Sequence, residues 1–213
     1  MQTLWQWDLW LLRTINVTLA HPKLDPWMVT LSDFHFFLWG LIVVGLVLVS
    51  LGRFRERAFV AVALSVFLIG DLGISGPLKS FFARPRPYQA LAGVRVVDKL
   101  GVRWSQSSQK GPFRSFPSGH ACNTAALATV TSAFYFPWGR LLWIWAFLVG
   151  YSRVYGGHHY PTDVIGSWLL GWAYARLLLW IFRHLWVVLG RSLFPTILID
   201  HPDLVAKTRG NNS

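Results

Sequence analysis

The sequence is short of charge, and above all of acidic residues. Only 9 of its 213 residues are Asp or Glu, against 20 Lys and Arg, and charged residues make up 14% of the chain, whereas soluble domains carry about 25%. Together with a mean hydropathy of +0.41, this shortage argues against a soluble domain and predicts an integral membrane protein of one domain. The net charge of +11 indicates anionic headgroups or phosphate as partners. No motif indicates nucleic acid as a partner.

Cysteine and a signal peptide are also lacking. The single Cys122 cannot form an internal disulfide and is expected to be a small buried residue. The first twenty residues have no basic start and carry Asp8 and Arg13, which argues against a cleavable signal.

Long apolar runs are what the sequence has instead. Five are each near the ~20 residues that a helix needs to cross the hydrocarbon core; they cover residues 34–52, 58–77, 121–137, 141–157 and 164–182. Residues 1–33 predict short amphipathic helices at the membrane interface, and a sixth span over residues 4–20 is the alternative. We therefore predict an all-α bundle of five to six transmembrane helices.

The runs divide the chain into an interfacial segment, a transmembrane domain over residues 34–184 and a tail over residues 185–213. The tail is expected to lose order after Asp200. Since the spans alternate in direction, the one large loop (78–118), the turn at 156–162 and the N-terminal segment share one face. Lys and Arg are equally numerous on the two faces, so the positive-inside rule does not orient the chain.

Three polar clusters lie on that shared face. The first, KSFFARPRP, offers Lys79, Arg84 and Arg86 to anionic oxygens, although a basic patch on lipid headgroups would look the same. The second, FPSGHACN, predicts a helix start at which the N–H groups of Ser118, Gly119 and His120 are free to bind an anion. An ordinary helix cap is the alternative there.

The third cluster is YSRVYGGHHYPTDV, with Arg153, His158, His159 and Asp163. A carboxylate four residues after His159 could accept a hydrogen bond from its ring and free the other nitrogen as a nucleophile or base. Zinc ligation by His158, His159 and Asp163 with His120 is an alternative, but the many cations on this face would repel a metal. Together the clusters indicate a site that binds a tetrahedral oxyanion and attacks it.

These residues resemble the three motifs of the type 2 phosphatidic acid phosphatase (PAP2) superfamily, in its branch of bacterial membrane lipid phosphatases. K-x6-R-P is matched by Lys79 and Arg86-Pro87, P-S-G-H by residues 117–120, and S-R-x5-H-x3-D by Ser152-Arg153, His159 and Asp163.

The resemblance implies a role for each matched residue. It makes residues 34–184 a catalytic domain in which His159 is the nucleophile that forms a phosphohistidine, His120 the general acid and Asp163 the residue that orients His159. The phosphate would be bound by Lys79, Arg86, Arg153, Ser118 and Gly119. Arg84, which duplicates the Arg-Pro signal, is either an accessory phosphate ligand or a surface cation. His158 is expected at the pocket rim or the interface.

The function implied is removal of a terminal phosphate from a lipid phosphate or diphosphate, with undecaprenyl diphosphate favoured and no metal or other cofactor required. The bilayer and a phospholipid or polyprenyl phosphate are the expected partners. The protein would lie in the bacterial inner membrane with its site facing the periplasm or exterior, and the tail would be cytoplasmic. Alternatives are a lipid A or phosphatidylglycerophosphate phosphatase, a lipid phosphotransferase, and a lipid-binding protein without activity. Inside the second span, Asp71 is expected to brace Lys79 or the bundle.

Overall fold

The computed structural model describes residues 2–107 and 110–205, and the fold is mostly helical. The predicted tail residues 206–213 and residues 108–109 of the large loop lie outside the described residues. The helices are α1 (Gln2–Arg13), α2 (Asp25–Ser32), α3 (Phe34–Leu51), α4 (Phe54–Leu68), α5 (Gly76–Phe82), α6 (Pro87–Ala90), α7 (Gly119–Phe134), α8 (Leu142–Tyr155), α9 (Pro161–Leu193) and α10 (Pro195–Asp200).

Two π-helical segments and one 3-10 turn extend these helices. Thr14–Thr18 continues α1, Ile69–Ser75 joins α4 to α5, and Trp138–Leu141 precedes α8. The second predicted span therefore runs past its expected end at residue 77 and carries Lys79 on its last turn. Ala83 ends it in the left-handed conformation, at φ 40°, ahead of the prolines of the loop.

The fold is mostly helical as predicted, but the large loop contains a β-hairpin that the all-α prediction did not include. Ala92–Asp98 (β1) and Gly101–Gln106 (β2) form an antiparallel hairpin with Asp98 opposite Gly101. The burial pattern explains it: Val94, Val96 and Val97 are buried, and β-branched residues favour such a half-buried pleated surface.

Within residues 2–107 and 110–205, two helical stretches are long and apolar enough to cross a membrane, Phe54–Ala90 and Pro161–Leu193. A third qualifies if Asp25–Ser32 and His35–Leu51, bent by 49°, count as one span. The helices α7 and α8 have only 16 and 14 residues, about 24 and 21 Å at the α-helical rise. The count of five to six crossings therefore stays a prediction.

The core lies between α4, α7 and α9, where Val66, Ala126 and Ala175 are buried together. Large apolar side chains point outward on α3 and α9, as on Leu46 and Trp180. An apolar outer surface of this extent is what a bilayer requires of a spanning bundle.

Residues 185–205, the described part of the predicted tail, pack against the bundle. The helix α9 continues through the predicted domain boundary at residue 184, and α10 turns back. Trp186 donates to the carbonyl of His201 at 2.9 Å, the His201 ring stacks on Phe54 at 4.3 Å, and Val205 is buried. The expected loss of order after Asp200 is therefore wrong for residues 201–205, because their apolar side chains pack on α4 and α9.

The N-terminal segment lies against the loop face. Both ends of the α1 segment contact elements of that face: the Trp5 ring lies 5.4 Å from Tyr160, and Asn16 donates to the carbonyls of Arg95 and Tyr155 at 2.6 Å each. These contacts favour the interfacial interpretation of residues 4–20 over a sixth crossing.

Candidate active site

The turn between α8 and α9 holds His159 next to Arg153. The carbonyl of Arg153 accepts from the N–H of His158 at 3.1 Å and of His159 at 3.3 Å. Gly157 makes this turn possible, because its φ of +72° lies in the left-handed region that glycine enters without steric cost. The backbone therefore joins a cation and an imidazole in one rigid turn.

The His159 ring is buried, with 3% of the residue exposed, and its Nδ1 lies 2.6 Å from the carbonyl oxygen of Ser115. A carbonyl only accepts hydrogen bonds, so Nδ1 carries the proton and Nε2 keeps a free lone pair. This is the tautomer that a nucleophilic histidine needs.

Asp163 does not orient His159 by the predicted direct contact. Its Oδ2 accepts from the Ser115 hydroxyl at 2.5 Å and from the backbone N–H of Tyr160 at 3.1 Å, and its Oδ1 accepts from Arg84 at 2.5 Å. The physical reason is the position of Asp163 in the first turn of α9, where the carboxylate turns back to the helix start. Asp163 therefore reaches the ring only through Ser115.

Arg84 is neither the accessory phosphate ligand nor the surface cation that the sequence suggested. Its Nη1 also donates to the Thr162 hydroxyl at 3.0 Å, its Nη2 donates to Asp8 at 2.9 Å, and the guanidinium lies 4.2 Å from the Tyr160 ring centroid. With two carboxylates bound, the Arg84 guanidinium is committed to the protein and is not a phosphate ligand.

The other cations predicted to bind phosphate are Lys79, Arg86 and Arg153. None of the ion pairs among residues 2–107 and 110–205 includes any of the three, and the Nε of Arg153 is buried without a hydrogen-bond partner. The charges of Arg153 and Arg86 act on the rings of both His159 and His120. A buried cation without an ion-pair partner is costly, and this applies to Arg153, whereas Lys79 and Arg86 are half-buried and Asp71 acts on Lys79. The cluster can therefore take up an anion.

The same surroundings determine the charge of the His159 ring. Burial, and after it the neighbouring Arg153 and Arg86 cations, hold the pKa of His159 well below its ordinary value of 6.5. The ring is therefore neutral at physiological pH.

The start of α7 faces this cluster. A Cβ added at Gly119 would lie 3.1 Å from the Lys79 ammonium and 3.9 Å from Asp71, which also places Asp71 beside Lys79 as expected. Gly119 and His120 belong to the first turn, whose N–H groups have no acceptor within the helix. Such a helix start attracts anions.

The backbone N–H of Ser118, which was predicted to donate a hydrogen bond to phosphate, already donates to another side chain. The N–H of Ser118 donates to the Ser167 hydroxyl at 2.7 Å, and that hydroxyl donates to the carbonyl of Asp163 at 2.5 Å. The Ser118 hydroxyl is buried without a partner and remains available for a phosphate oxygen. Ser167 therefore ties the start of α7 to α9, and Ser118 can serve only by its side chain.

His158 is half-buried, so its position at the pocket rim or the interface stays a prediction. Its ring is 5.9 Å from Tyr88 in an edge-on arrangement, and its Nδ1 is buried without a partner. Burial, followed by the charges of Arg153 and Arg86, lowers the pKa of His158 well below its ordinary value. The ring is thus a neutral side chain beside the cation cluster.

Reasoning from the sequence missed three residues that build the site: Asp8, Ser115 and Ser167. Asp8 could have been noticed as a charge inside an apolar, tryptophan-rich helix, whereas nothing in the sequence distinguishes Ser115 and Ser167 from other serines. Across the described ranges, no three or more His, Cys, Asp or Glu side chains converge as metal ligands.

Residues 57–186 match the PAP2 superfamily. The chain is 31% identical to the undecaprenyl-diphosphatase BcrC of Bacillus subtilis, over 68% of this chain and 67% of that protein. It is 26% identical to the phosphatidylglycerophosphatase B of Escherichia coli, over 85% and 82%. Among solved structures, Aquifex aeolicus LpxE superposes with a TM-score of 0.64 at 28% identity, over 80% of this chain and 93% of LpxE.

Proposed function

Because the chain belongs to the PAP2 superfamily, we propose that this membrane lipid phosphatase removes the terminal phosphate of undecaprenyl diphosphate through a phosphohistidine at His159. One observation carries the proposal. The free Nε2 belongs to a neutral, buried His159 on which the charges of Arg153 and Arg86 act. Among the described residues, neither these two cations nor Lys79 forms an ion pair. A nucleophile next to cations that can bind an oxyanion is the arrangement that phosphoryl transfer needs.

In the first step, Nε2 of His159 attacks the terminal phosphorus, and the bond from phosphorus to the bridging oxygen breaks. The three cations, the Ser118 hydroxyl and the first N–H groups of α7 stabilise the negative charge on the phosphoryl oxygens. In the free site, burial and the neighbouring cations disfavour protonation of His120. The anionic phosphate offsets those cations when it binds, so that His120 takes up a proton with the substrate and gives it to the leaving oxygen. The product that leaves is the lipid monophosphate.

In the second step, a water molecule attacks phosphorus and the bond to Nε2 breaks. His120, now neutral, takes a proton from that water. Inorganic phosphate leaves and His159 returns to its neutral form, with Nδ1 protonated throughout. The chain's own side chains carry both steps, and no metal enters them.

The similarity to BcrC, an undecaprenyl-diphosphatase, supports a polyprenyl diphosphate as substrate, and the similarity to a phosphatidylglycerophosphatase makes that lipid the competing candidate. We further propose that the site faces the periplasm or exterior of the bacterial inner membrane, where the α1 segment and the hairpin would border the lipid headgroups.

The test is phosphate release in detergent with excess chelator, from undecaprenyl diphosphate, phosphatidylglycerophosphate, phosphatidic acid and lipid A. We expect the diphosphate to give the highest kcat/KM, and chelation to leave the rate unchanged. His159→Ala should lower kcat by at least about a thousandfold, and acid-quenched wild-type protein should hold phosphate on His159. Loss of activity on chelation would sink the metal-free mechanism, and preference for another lipid would replace the substrate.

A further inference from the structure

A carboxylate of the N-terminal helix reaches the site. Asp8 lies in the middle of α1 yet is only 4% exposed. Its Oδ1 accepts from the N–H of Thr162 at 2.9 Å, and its Oδ2 accepts from the Thr162 hydroxyl at 2.6 Å and from Arg84 at 2.9 Å. Every recorded partner of Asp8 thus belongs to the loop or to the first turn of α9, and none belongs to α1.

Arg84 joins this carboxylate to a second one. One terminal nitrogen of its guanidinium binds Asp8 and the other binds Asp163. A planar fork holds two carboxylates at a fixed angle, which a lysine ammonium cannot do. Since Asp163 is fully buried, Arg84 also supplies the counter-charge that keeps it there.

From Asp163 the chain of contacts ends at the nucleophile. Asp163 accepts from the Ser115 hydroxyl at 2.5 Å, and the carbonyl of the same Ser115 holds Nδ1 of His159 at 2.6 Å. The backbone of Ser115 is fixed from another side by Arg84, whose carbonyl accepts the Ser115 N–H at 2.9 Å. A shift of Arg84 would therefore move the group that fixes the tautomer of His159.

We propose that Asp8 and Arg84 are positioning residues, and that α1 is a working part of the active site. Through Arg84, Asp163 and Ser115, Asp8 of α1 holds the His159 ring in the orientation and tautomer that it needs for attack. The inference rests on the proposed function for its kinetic consequences. Its structural content, the state of the His159 ring, does not depend on which lipid is hydrolysed.

The network of Asp8, Arg84 and Asp163 would stabilise the His159 ring after it has been phosphorylated. When Nε2 bonds to phosphorus, Nδ1 keeps its proton and the ring becomes cationic. The Ser115 carbonyl dipole then faces that charge, and the network of Asp8, Arg84 and Asp163 behind it carries one more negative than positive charge. Groups fixed before the reaction stabilise the developing charge without reorganising.

The first experiment compares Asp8→Asn, Arg84→Lys and Ser115→Ala in steady-state hydrolysis of undecaprenyl diphosphate. We expect Asp8→Asn to lower kcat about tenfold to a hundredfold with KM within about twofold, because the phosphate ligands are intact. Asp8→Glu should recover part of the loss. The double variant Asp8→Asn/Ser115→Ala should lose little more than the worse single variant, since both changes interrupt one chain of contacts.

The second experiment observes the ring directly, by ¹⁵N-histidine NMR of the full chain in detergent, with His159→Gln to assign the signal. The wild type should show one Nδ1–H tautomer, and Asp8→Asn a mixture of tautomers. Asp203→Asn is the matched control, because it breaks the pair of Arg183 and Asp203 at the other end of α9, and it should leave the kinetics and the signal unchanged.

A wild-type kcat in Asp8→Asn would overturn the proposal. So would a fall in kcat accompanied by a lower melting temperature and an unchanged His159 signal, because that pattern marks a purely structural role. If Asp8→Asn does not accumulate, Ser115→Ala carries the same test, since it interrupts the chain of contacts without a buried charge. A wild type that releases no phosphate from any lipid would refute the proposed function, while the NMR comparison would still decide the positioning role.

Discussion

At the scale of single residues, the most informative feature is that a backbone carbonyl, and not a carboxylate, holds His159. A carbonyl fixes the tautomer as firmly as a carboxylate, but it adds no full negative charge next to the ring. After burial, the charges of Arg153 and Arg86 therefore have the largest effect on the ring. In the proposed mechanism His159 stays neutral until it attacks, and the anionic phosphate offsets those same cations.

This balance predicts the pH behaviour of the free protein. Because burial, then Arg153 and Arg86, hold the pKa of His159 below 6.5, the ring should remain neutral as the pH falls from 7 through 6.5, and should charge only at lower pH. The ¹⁵N signal of His159 should therefore keep its neutral form at pH 6.5, where an ordinary histidine is half protonated. A His159 signal that changes to the protonated form at or above pH 6.5 would contradict the prediction.

Gly119 gives a second test at this scale. Since a Cβ there would lie 3.1 Å from the Lys79 ammonium, Gly119→Ala should push Lys79 aside and raise KM for the lipid phosphate by about three- to tenfold, at a cost of no more than about 1 kcal/mol in stability. Gly45→Ala is the matched control, since a Cβ at Gly45 would meet nothing within 4 Å. Equal KM values in the two variants would refute the close approach of Lys79 to the helix start.

The sequence predicted the residues with charges or rings and not the groups between them. The motifs specify the spacing of Lys79, Arg86, Arg153 and His159. Among the described residues, none of the three cations forms an ion pair. The link from Asp163 to His159 could not be predicted, because it passes through Ser115, 48 residues before Asp163. Pairing over such distances is decided by packing, and single-sequence patterns describe only near neighbours.

At the scale of elements, α7 and α9 pack closely enough to need a glycine. A Cβ at Gly171 would collide with the backbone carbonyl of Cys122 and lie 3.2 Å from the Cβ of Ala125. Small residues at such crossings let membrane helices approach each other. This contact fixes the start of α7 relative to the first turn of α9, and therefore His120 relative to His159.

Gly171→Ala should accordingly separate the two helices. We expect a loss of about 1–3 kcal/mol in the free energy of unfolding, the usual cost of overpacking, measured by unfolding in detergent. The activity per folded molecule should fall as well, because the two histidines move apart. Gly40→Ala, whose added Cβ meets nothing within 4 Å, should change neither quantity. An unchanged unfolding midpoint for Gly171→Ala would contradict the packing.

Asn16 is one of the residues that hold the hairpin, together with the bond from the Val97 N–H to the carbonyl of Gly156 and the ion pair of Arg95 with Asp25. Asn16 accepts from the N–H of Arg95 at 2.8 Å and donates to the carbonyls of Arg95 and Tyr155 at 2.6 Å each. Asn16→Ala should leave these buried backbone groups unpaired, at about 1–3 kcal/mol each. Hydrogen exchange of the β1 amides should then accelerate at least about tenfold.

Thr14→Ala is the control for that comparison, because the Thr14 hydroxyl bonds only within its own helix, to Trp10 at 2.9 Å. Exchange in β1 that is equally slow in both variants would show that the hairpin is held by other contacts. At this scale the sequence predicted the apolar helices well, since their signal is local and strong. It missed the hairpin, because seven residues with four buried in a row have no alternating pattern.

At the scale of the whole molecule, the chain places its chemistry at one end of the bundle. The direction of each helix follows from the contacts at its ends: α5 delivers Lys79, α7 begins at Gly119, α8 ends near Arg153 and α9 begins before Asp163. The turn at Trp138–Leu141 and the helix α10 belong to the opposite end. Alternation of this kind predicts that the hairpin and α10 lie on opposite sides of the membrane.

Cysteine labelling in intact cells tests that arrangement. In a Cys122→Ala background, Leu100→Cys introduces a thiol at the exposed hairpin turn, and Ile199→Cys introduces one on α10; the native side chains are 87% and 79% exposed. A membrane-impermeant maleimide should label the hairpin thiol in intact cells and the α10 thiol only after permeabilisation, if the site faces the periplasm. Labelling of both thiols in intact cells would contradict an odd number of crossings between them. The reverse pattern would keep the bundle but turn the active site to the cytoplasm, so that the enzyme would act on lipid phosphates of the inner leaflet.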